Sequence, residues 1–122
     1  LEGAGEASEG MHMVHPAILA IDEVAATSPE VLARKAFFRD YSQRYGQFSG
    51  FASYAADALH LIVRAIEDAG STDPVKIRDA LERQRYNGLT GRFVFSDRYH
   101  GGVAGNALTV VTVRNGKWVL AN

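Results

Sequence analysis

The sequence predicts an α/β fold with the element order β-α-α-α-β-β-β, in which the sheets are incomplete. A long run over residues 51–70 predicts a helix, because its apolar residues recur at helical spacing. After residue 86 the pattern changes to short runs rich in aromatic and β-branched residues, which predicts strands. Four short strands are too few to cover three amphipathic helices, so we expect partner strands outside these residues.

The composition excludes several functional classes. The 122 residues are 47% hydrophobic and 22% charged, which is ordinary for one soluble globular domain. Thirteen basic and fourteen acidic residues give a net charge of −1, so nothing favours a nucleic acid or an anionic membrane as partner. The absence of cysteine excludes a disulfide framework and a thiolate metal site.

The beginning of the chain carries no recognisable secretion signal. Residues 1–10 are small and acidic, with neither a basic nor an apolar stretch. The longest apolar stretch, residues 58–66, is interrupted by His60 and Arg64 and is too short to span a bilayer. We therefore expect either a cytoplasmic protein or a chain that begins far downstream of its natural start.

The first part of the chain predicts a strand, a connector and a helix. Residues 10–15 favour a strand that ends at Pro16, because proline cannot donate to a ladder. Residues 17–27 are apolar without a clean period and are interpreted as a connector. Ser28 as N-cap and Pro29 at the first helical position then begin the first helix.

Aromatic residues of the first helix are predicted to pack in the core, and Gly46 is predicted to end that helix. This group comprises Phe37, Phe38, Tyr41 and Tyr45.

The second helix is predicted to bury one apolar face and to expose a polar face that includes Asp57. The predicted apolar face comprises Phe51, Ala55, Ala58, Leu59, Ile62, Ala65, Ile66 and Ala69. Asp73 and Pro74 repeat the capping pattern and begin a third helix, which is predicted to end at about Gln84. Its predicted buried side comprises Val75, Ile77 and Leu81.

The last third predicts three strands. Residues 92–95 form a short strand, and residues 107–113 form the strongest strand in the chain because they are rich in β-branched residues. Asn115 and Gly116 indicate a type I′ hairpin turn, after which residues 117–120 return antiparallel.

The residues with catalytic potential do not form a recognisable active site. His12 and His15 lie three apart on a predicted strand and therefore on opposite faces, which disfavours a shared metal ion. The sequence has no Gly-x-Ser-x-Gly motif, and the neighbours Glu67 and Asp68 are interpreted as a solvated pair. We therefore expect a non-catalytic protein with no metal or other cofactor.

Two aromatic residues remain as candidates for a binding site. Phe51 and Tyr54 lie at the start of the second helix, directly after a glycine-containing loop at residues 46–50. Core packing is the simpler interpretation. A position at a helix start also allows them to form an apolar wall of a ligand pocket.

A set of short motifs occurs in the order and spacing of one protein family. They are ASEGM at 7–11, FRDYSQRYG at 38–46, ADA at 56–58, AI and AGS at 65–66 and 69–71, IRDAL at 77–81, GLTGRFVF at 88–95 and VTVRNGKW at 111–118. Together they resemble the C-terminal third of the type I periplasmic solute-binding proteins that serve branched-chain amino acid (Leu/Ile/Val) ABC transporters. Ala56 departs from the family's usual tyrosine, and residues 98–102 run one residue longer than the family pattern.

The resemblance implies a two-lobed fold that closes on a small ligand. Residues 1–16 would belong to lobe II and a crossover, residues 17–107 to lobe I, and residues 108–122 to a terminal hairpin in lobe II. Phe51 is similar to the aromatic residue that lines the family's ligand pocket, and Tyr54 lies beside it. The implied hinge residues are His15, Pro16, Ala17, Ala107 and Leu108.

By this resemblance the chain is expected to be a fragment of a periplasmic or extracellular binding component of an ABC importer. The ligand would be an amino acid or a similar small carboxylate, and the partner would be a membrane permease. The fragment alone is expected to form a homodimer or to exchange strands. Two alternatives remain open, namely a ligand-sensing domain of a signalling receptor and a small stand-alone α/β interaction domain.

Overall fold

A computed structural model of the protein describes residues 1, 3–105 and 107–121. In this part the strands are β1 (His12–Pro16), β2 (Arg85–Asn87), β3 (Arg92–Val94), β4 (Leu108–Arg114) and β5 (Lys117–Leu120). The α-helices are α1 (Pro29–Tyr45), α2 (Gly50–Ala69) and α3 (Pro74–Leu81), and short 3-10 helices cover Gly5–Ser8 and Ala17–Glu23. The combination of helices with small, incomplete sheets confirms the predicted α/β class.

The chain divides into two compact units. Unit 1 comprises Leu1–Gly50 and Leu108–Asn122, and unit 2 comprises Phe51–Ala107. The chain therefore passes from one unit to the other at two points, between residues 50 and 51 and between residues 107 and 108.

Unit 1 is built on an antiparallel sheet in the order β1-β4-β5. The predicted hairpin between β4 and β5 is confirmed, because Asn115 and Gly116 have φ values of 53° and 71°, as a type I′ turn requires.

The segment predicted as a connector is part of the core of unit 1. Ala17–Glu23 forms two short 3-10 turns with a kink at Ala20, and Ile18 and Ile21 in it are buried, as are Val111 and Val113 of β4. The connector prediction was wrong because short 3-10 turns interrupted at Ala20 leave no clean α-helical period in the sequence.

Helix α1 begins and ends as its capping residues predict. The Ser28 hydroxyl accepts a hydrogen bond from the Val31 amide at 3.3 Å, and Pro29 occupies the first helical position. At the other end Gly46 has a φ of 82°, and its amide donates to the Ser42 carbonyl at 3.0 Å.

The aromatic residues of α1 are not in the core, so that prediction was wrong. No residue of α1 is buried, and the Tyr45 side chain is 70% exposed. Phe37, Phe38 and Tyr41 are half-buried around Phe48, with ring centroids 4.7 Å apart for Phe38–Phe48 and 5.3 Å apart for Tyr41–Phe48. These rings cover one another at the surface.

Unit 2 combines α2 and α3 with a hairpin formed by β2 and β3. Asp73 caps α3 as predicted, accepting hydrogen bonds from the amides of Val75 and Lys76. The helix ends at Leu81 and not at Gln84, and Val75, predicted to be buried, is 55% exposed. Strand β2 was not predicted, because three residues carry no readable alternation and pair only through β3.

The buried face of α2 differs from the predicted one. Ser53, Asp57, Leu61 and Ala65 recur every four residues, and all of them are buried. Ala65 is buried as predicted, but the large residues predicted to be buried are exposed: Phe51 is 80%, Leu59 61% and Ile62 47% exposed. The apolar side of α2 therefore has no partner among the described residues that covers it.

Candidate functional site

The candidate ligand-contacting residues lie together at the start of α2. The rings of Phe51 and Tyr54 have centroids 6.5 Å apart and planes inclined by 39°. Phe51 is 80% exposed and Tyr54 39% exposed, so the pair presents an aromatic surface. The interpretation of Phe51 as a core residue does not hold in this structure.

The chemistry of this surface is apolar with one hydroxyl group. Desolvation raises the pKa of Tyr54 above its usual value, so the phenol stays protonated at neutral pH. Aromatic rings give a rigid contact area for an apolar group, and a phenol adds a hydrogen-bonding atom at its edge. The pair can therefore supply one wall of a pocket for a small solute with an apolar part.

Four of the five candidate hinge residues lie together in unit 1. Pro16, the last residue of β1, is the register partner of Leu108, the first residue of β4. His15 is buried, and its Nδ1 lies 3.0 Å from the Pro16 carbonyl oxygen. Ala17 begins the 3-10 helix that follows. The end of β1 and the start of β4 are therefore held side by side by strand pairing.

Ala107, the fifth candidate hinge residue, lies in unit 2. Its amide donates to the Ala104 carbonyl at 3.1 Å. The division between the two units falls between Ala107 and Leu108.

A buried acidic residue was missed by sequence reasoning. Asp57 is 1% exposed and accepts hydrogen bonds from the amides of Leu89 and Thr90 and from the Thr90 hydroxyl. The sequence carried one signal that could have identified it, since Asp57 shares a four-residue spacing with Leu61 and Ala65.

Tyr86 lies beside this carboxylate. Burial raises the pKa of Tyr86, and so do the charge of Asp57 and a hydrogen bond to it, whereas the charge of Arg64 opposes the increase. The Arg64 guanidinium lies 5.5 Å from the centre of the Tyr86 ring, and the Tyr86 hydroxyl lies 3.1 Å from Nδ1 of His60. This polar cluster joins α2 to β2 within unit 2.

Unit 2 also contains an apolar cavity of about 380 Å³ between α2 and α3. Its polar lining includes His100 and Glu82, whose Nε2 and Oε1 atoms are 3.2 Å apart. Among residues 1, 3–105 and 107–121, no three His, Asp or Glu side chains are placed to hold a metal ion. In the same part of the chain, no helix has the length and apolar character needed to cross a bilayer.

A model of the periplasmic binding protein family matches residues 1–117 of the chain. No curated protein sequence matches this chain significantly.

Solved structures resemble the chain over nearly all its residues. An extracellular ligand-binding receptor from Rhodopseudomonas palustris HaA2 has a TM-score of 0.79 and 25% identity over 98% of this chain and 36% of its own. The leucine binding protein LivK from Thermotoga maritima has a TM-score of 0.76 and 27% identity over 99% and 32% of the two chains. A putative branched-chain amino acid ABC transporter from Rhodospirillum rubrum has a TM-score of 0.58 and 26% identity, over 98% of this chain and 33% of its own. The chain thus spans about a third of the length of the structures it resembles.

Proposed function

Because the chain belongs to the family of type I periplasmic binding proteins, we propose that it is part of a non-catalytic protein that binds a small solute. The observation that carries this proposal is the family match over residues 1–117, which includes every helix and nearly every strand residue. The chain spans about a third of the related structures, and the proposal places it in their C-terminal third. Most of the binding site would then lie in the rest of the protein.

The proposed contribution of this chain to the site is the aromatic surface of Phe51 and Tyr54. A solute-binding site needs apolar walls together with a few placed polar groups. Phe51 offers an exposed ring, and the protonated phenol of Tyr54 offers a hydroxyl group beside it. The groups that would hold a charged end of the solute are assigned to the rest of the protein.

The proposed mechanism is closure of two lobes about a hinge. A solute that contacts both lobes shifts the equilibrium from an open to a closed form, because only the closed form makes both sets of contacts. The proposed hinge residues are His15, Pro16, Ala17, Ala107 and Leu108. The division of the chain between residues 107 and 108 supports the last two.

The proposed lobe boundaries follow the family resemblance, with residues 1–16 and 108–122 in lobe II and residues 17–107 in lobe I. In this structure residues 17–50 group with unit 1. The proposed lobes differ from the two units because they would include sheets formed by the rest of the protein.

The proposed solute is an amino acid or a similar small carboxylate. The resemblance to a leucine binding protein supports this class, as does an aromatic surface suited to an apolar side chain. The proposed setting is the periplasm or the cell exterior, with the membrane permease of an ABC importer as partner.

Without the rest of the protein, the chain is proposed to self-associate. Leu59, Ile62 and Val63 of α2 are 61%, 47% and 43% exposed, and β1 lies at an edge of its sheet. Exposed apolar faces and free strand edges both favour association with another copy.

A thermal-shift screen of the whole protein against the twenty amino acids and a set of small carboxylates tests the proposal. We expect at least one compound to raise the melting temperature in a concentration-dependent way, because a ligand that binds only the folded state stabilises it. If no compound in either class does so, the proposed solute class is wrong.

A further inference from the structure

We propose that Asp57 is a positioning residue that fixes the point at which the chain leaves unit 2, at Ala107. The inference rests on the proposed function, since it assigns Ala107 and Leu108 to the hinge. It adds a residue that lies in neither the proposed pocket nor the proposed hinge.

The first step is that Asp57 accepts three hydrogen bonds from one turn. Its Oδ1 accepts the Leu89 amide at 2.8 Å, and its Oδ2 accepts the Thr90 amide at 2.8 Å and the Thr90 hydroxyl at 2.7 Å. All three residues are buried, so water does not compete freely for these bonds. One carboxylate on α2 thereby fixes two consecutive backbone amides.

The second step is the close approach of the turn to the carboxylate. A Cβ at Gly88 would stand 2.6–2.8 Å from the carboxylate atoms of Asp57, so only glycine fits there without displacing them. The Gly88 amide donates to the Gly91 carbonyl at 2.8 Å and closes the turn. The position of Gly91 is therefore set by the contact between Asp57 and the turn.

The third step leads from Gly91 to the end of unit 2. A Cβ at Gly91 would stand 2.6 Å from the Cβ of Ala107, so the methyl group of Ala107 lies against the space beside the Gly91 backbone. The Ala104 amide donates to the Arg92 carbonyl at 2.9 Å, which ties Ala104 to β3. The Ala107 amide in turn donates to the Ala104 carbonyl.

These contacts form one continuous path from α2 to Ala107. A hinge bends where a few residues absorb the change in φ and ψ, and it needs rigid structure up to that point. In unit 2 the hydrogen bonds and close contacts described above extend to Ala107, and Asp57 makes the first of them. Loss of the Asp57 carboxylate should therefore loosen Ala107, at the other end of this path.

Amide hydrogen exchange on the whole protein, measured residue by residue without added solute, tests this path. Asp57→Asn is expected to speed exchange at Leu89, Thr90 and Ala107 by about tenfold or more, the effect of losing a hydrogen bond to a charged group. The amide of Ile66, further along α2, should exchange as in the wild type, which separates local loosening from global destabilisation.

Asp68→Asn is the matched control, because it removes an exposed carboxylate from the same helix and should leave all four amides unchanged. Thr90→Val removes only the hydroxyl bond and should give a smaller acceleration in the same pattern, whereas Thr90→Ser should restore wild-type exchange. Thr90→Val decides the test if Asp57→Asn does not fold.

Faster exchange at Leu89 and Thr90 with no change at Ala107 would overturn the proposal, because Asp57 would then stabilise only the turn that it contacts. No change at any of the three amides would overturn it too. Since no solute is added, this outcome is independent of the proposed function, which fails separately if no solute binds.

Discussion

The imidazole of His15 fills the space beside Gly50, where a side chain would otherwise stand. A Cβ at position 50 would lie 2.5 Å from Nε2 and 2.6 Å from Cε1 of this ring. The ring is buried and its Nδ1 lies 3.0 Å from the Pro16 carbonyl oxygen, which restricts its movement. The end of β1 therefore requires glycine at the first residue of α2.

Gly50→Ala should destabilise the whole protein by about 1–3 kcal/mol, because the added methyl group overpacks a buried site. Denaturant unfolding followed by circular dichroism measures this change. Gly105→Ala is the matched control, since no atom lies within 4 Å of a Cβ built there. Equal stability of the two variants would show that His15 moves aside without cost.

Phe51→Ala should lower the solute affinity of the whole protein by about tenfold or more and leave its unfolding free energy nearly unchanged. The reason is that Phe51 is 80% exposed and adds little to the core of this chain. Tyr54→Phe should lower the affinity less, because it removes only the hydroxyl group. Calorimetric titration with leucine, or with the best compound of the screen, measures both effects.

Tyr99→Ala, which changes a 55% exposed aromatic residue outside the proposed pocket, is the control for Phe51. If Phe51→Ala and Tyr99→Ala bind solute as tightly as the wild type, the proposed wall is misplaced.

Tyr86 should make the protein less stable at alkaline pH. Burial raises its folded-state pKa above the unfolded value of about 10, so the folded protein binds this proton more tightly. The resulting stabilisation is complete below about pH 10 and is lost as the pH rises through the raised pKa.

Unfolding free energies of wild type and Tyr86→Phe at about pH 8 and pH 11 check this prediction. The wild type should lose more stability between the two pH values than Tyr86→Phe. If the wild type and Tyr86→Phe lose the same amount of stability, Tyr86 is not the group that destabilises the protein at alkaline pH.

The 122-residue chain alone should sediment as a dimer or a larger species, because the apolar side of α2 is exposed. Leu59→Asp should shift sedimentation towards the monomer by placing a charge in that face. Val75→Asp, at a 55% exposed position on α3, should not. A wild-type monomer that unfolds cooperatively would support the alternative of a stand-alone domain.

Local signals in the sequence were sufficient for element starts and turns. Ser28 and Asp73 cap the helices that they were predicted to cap, and Asn115 with Gly116 forms the predicted turn. In each case the interacting groups lie within three residues of each other, so a short stretch of sequence contains both of them.

Long-range contacts could not be predicted in the same way. Asp57 is buried because Leu89 and Thr90, more than thirty residues later, donate hydrogen bonds to it. Without those donors a helical aspartate is expected in solvent, and so Asp57 was predicted to lie on the exposed face of α2. Phe51 and Tyr54 were chosen by position and resemblance, and their contact with a solute remains a prediction.

Calorimetric titration of leucine, or of the best compound of the screen, into the whole protein and into the 122-residue chain tests the central claim most directly. We predict saturable one-to-one binding by the whole protein and no measurable heat of binding for the chain alone. Binding by the chain alone with a Kd near 1 μM, about −8 kcal/mol, would contradict a site that lies mostly in the rest of the protein.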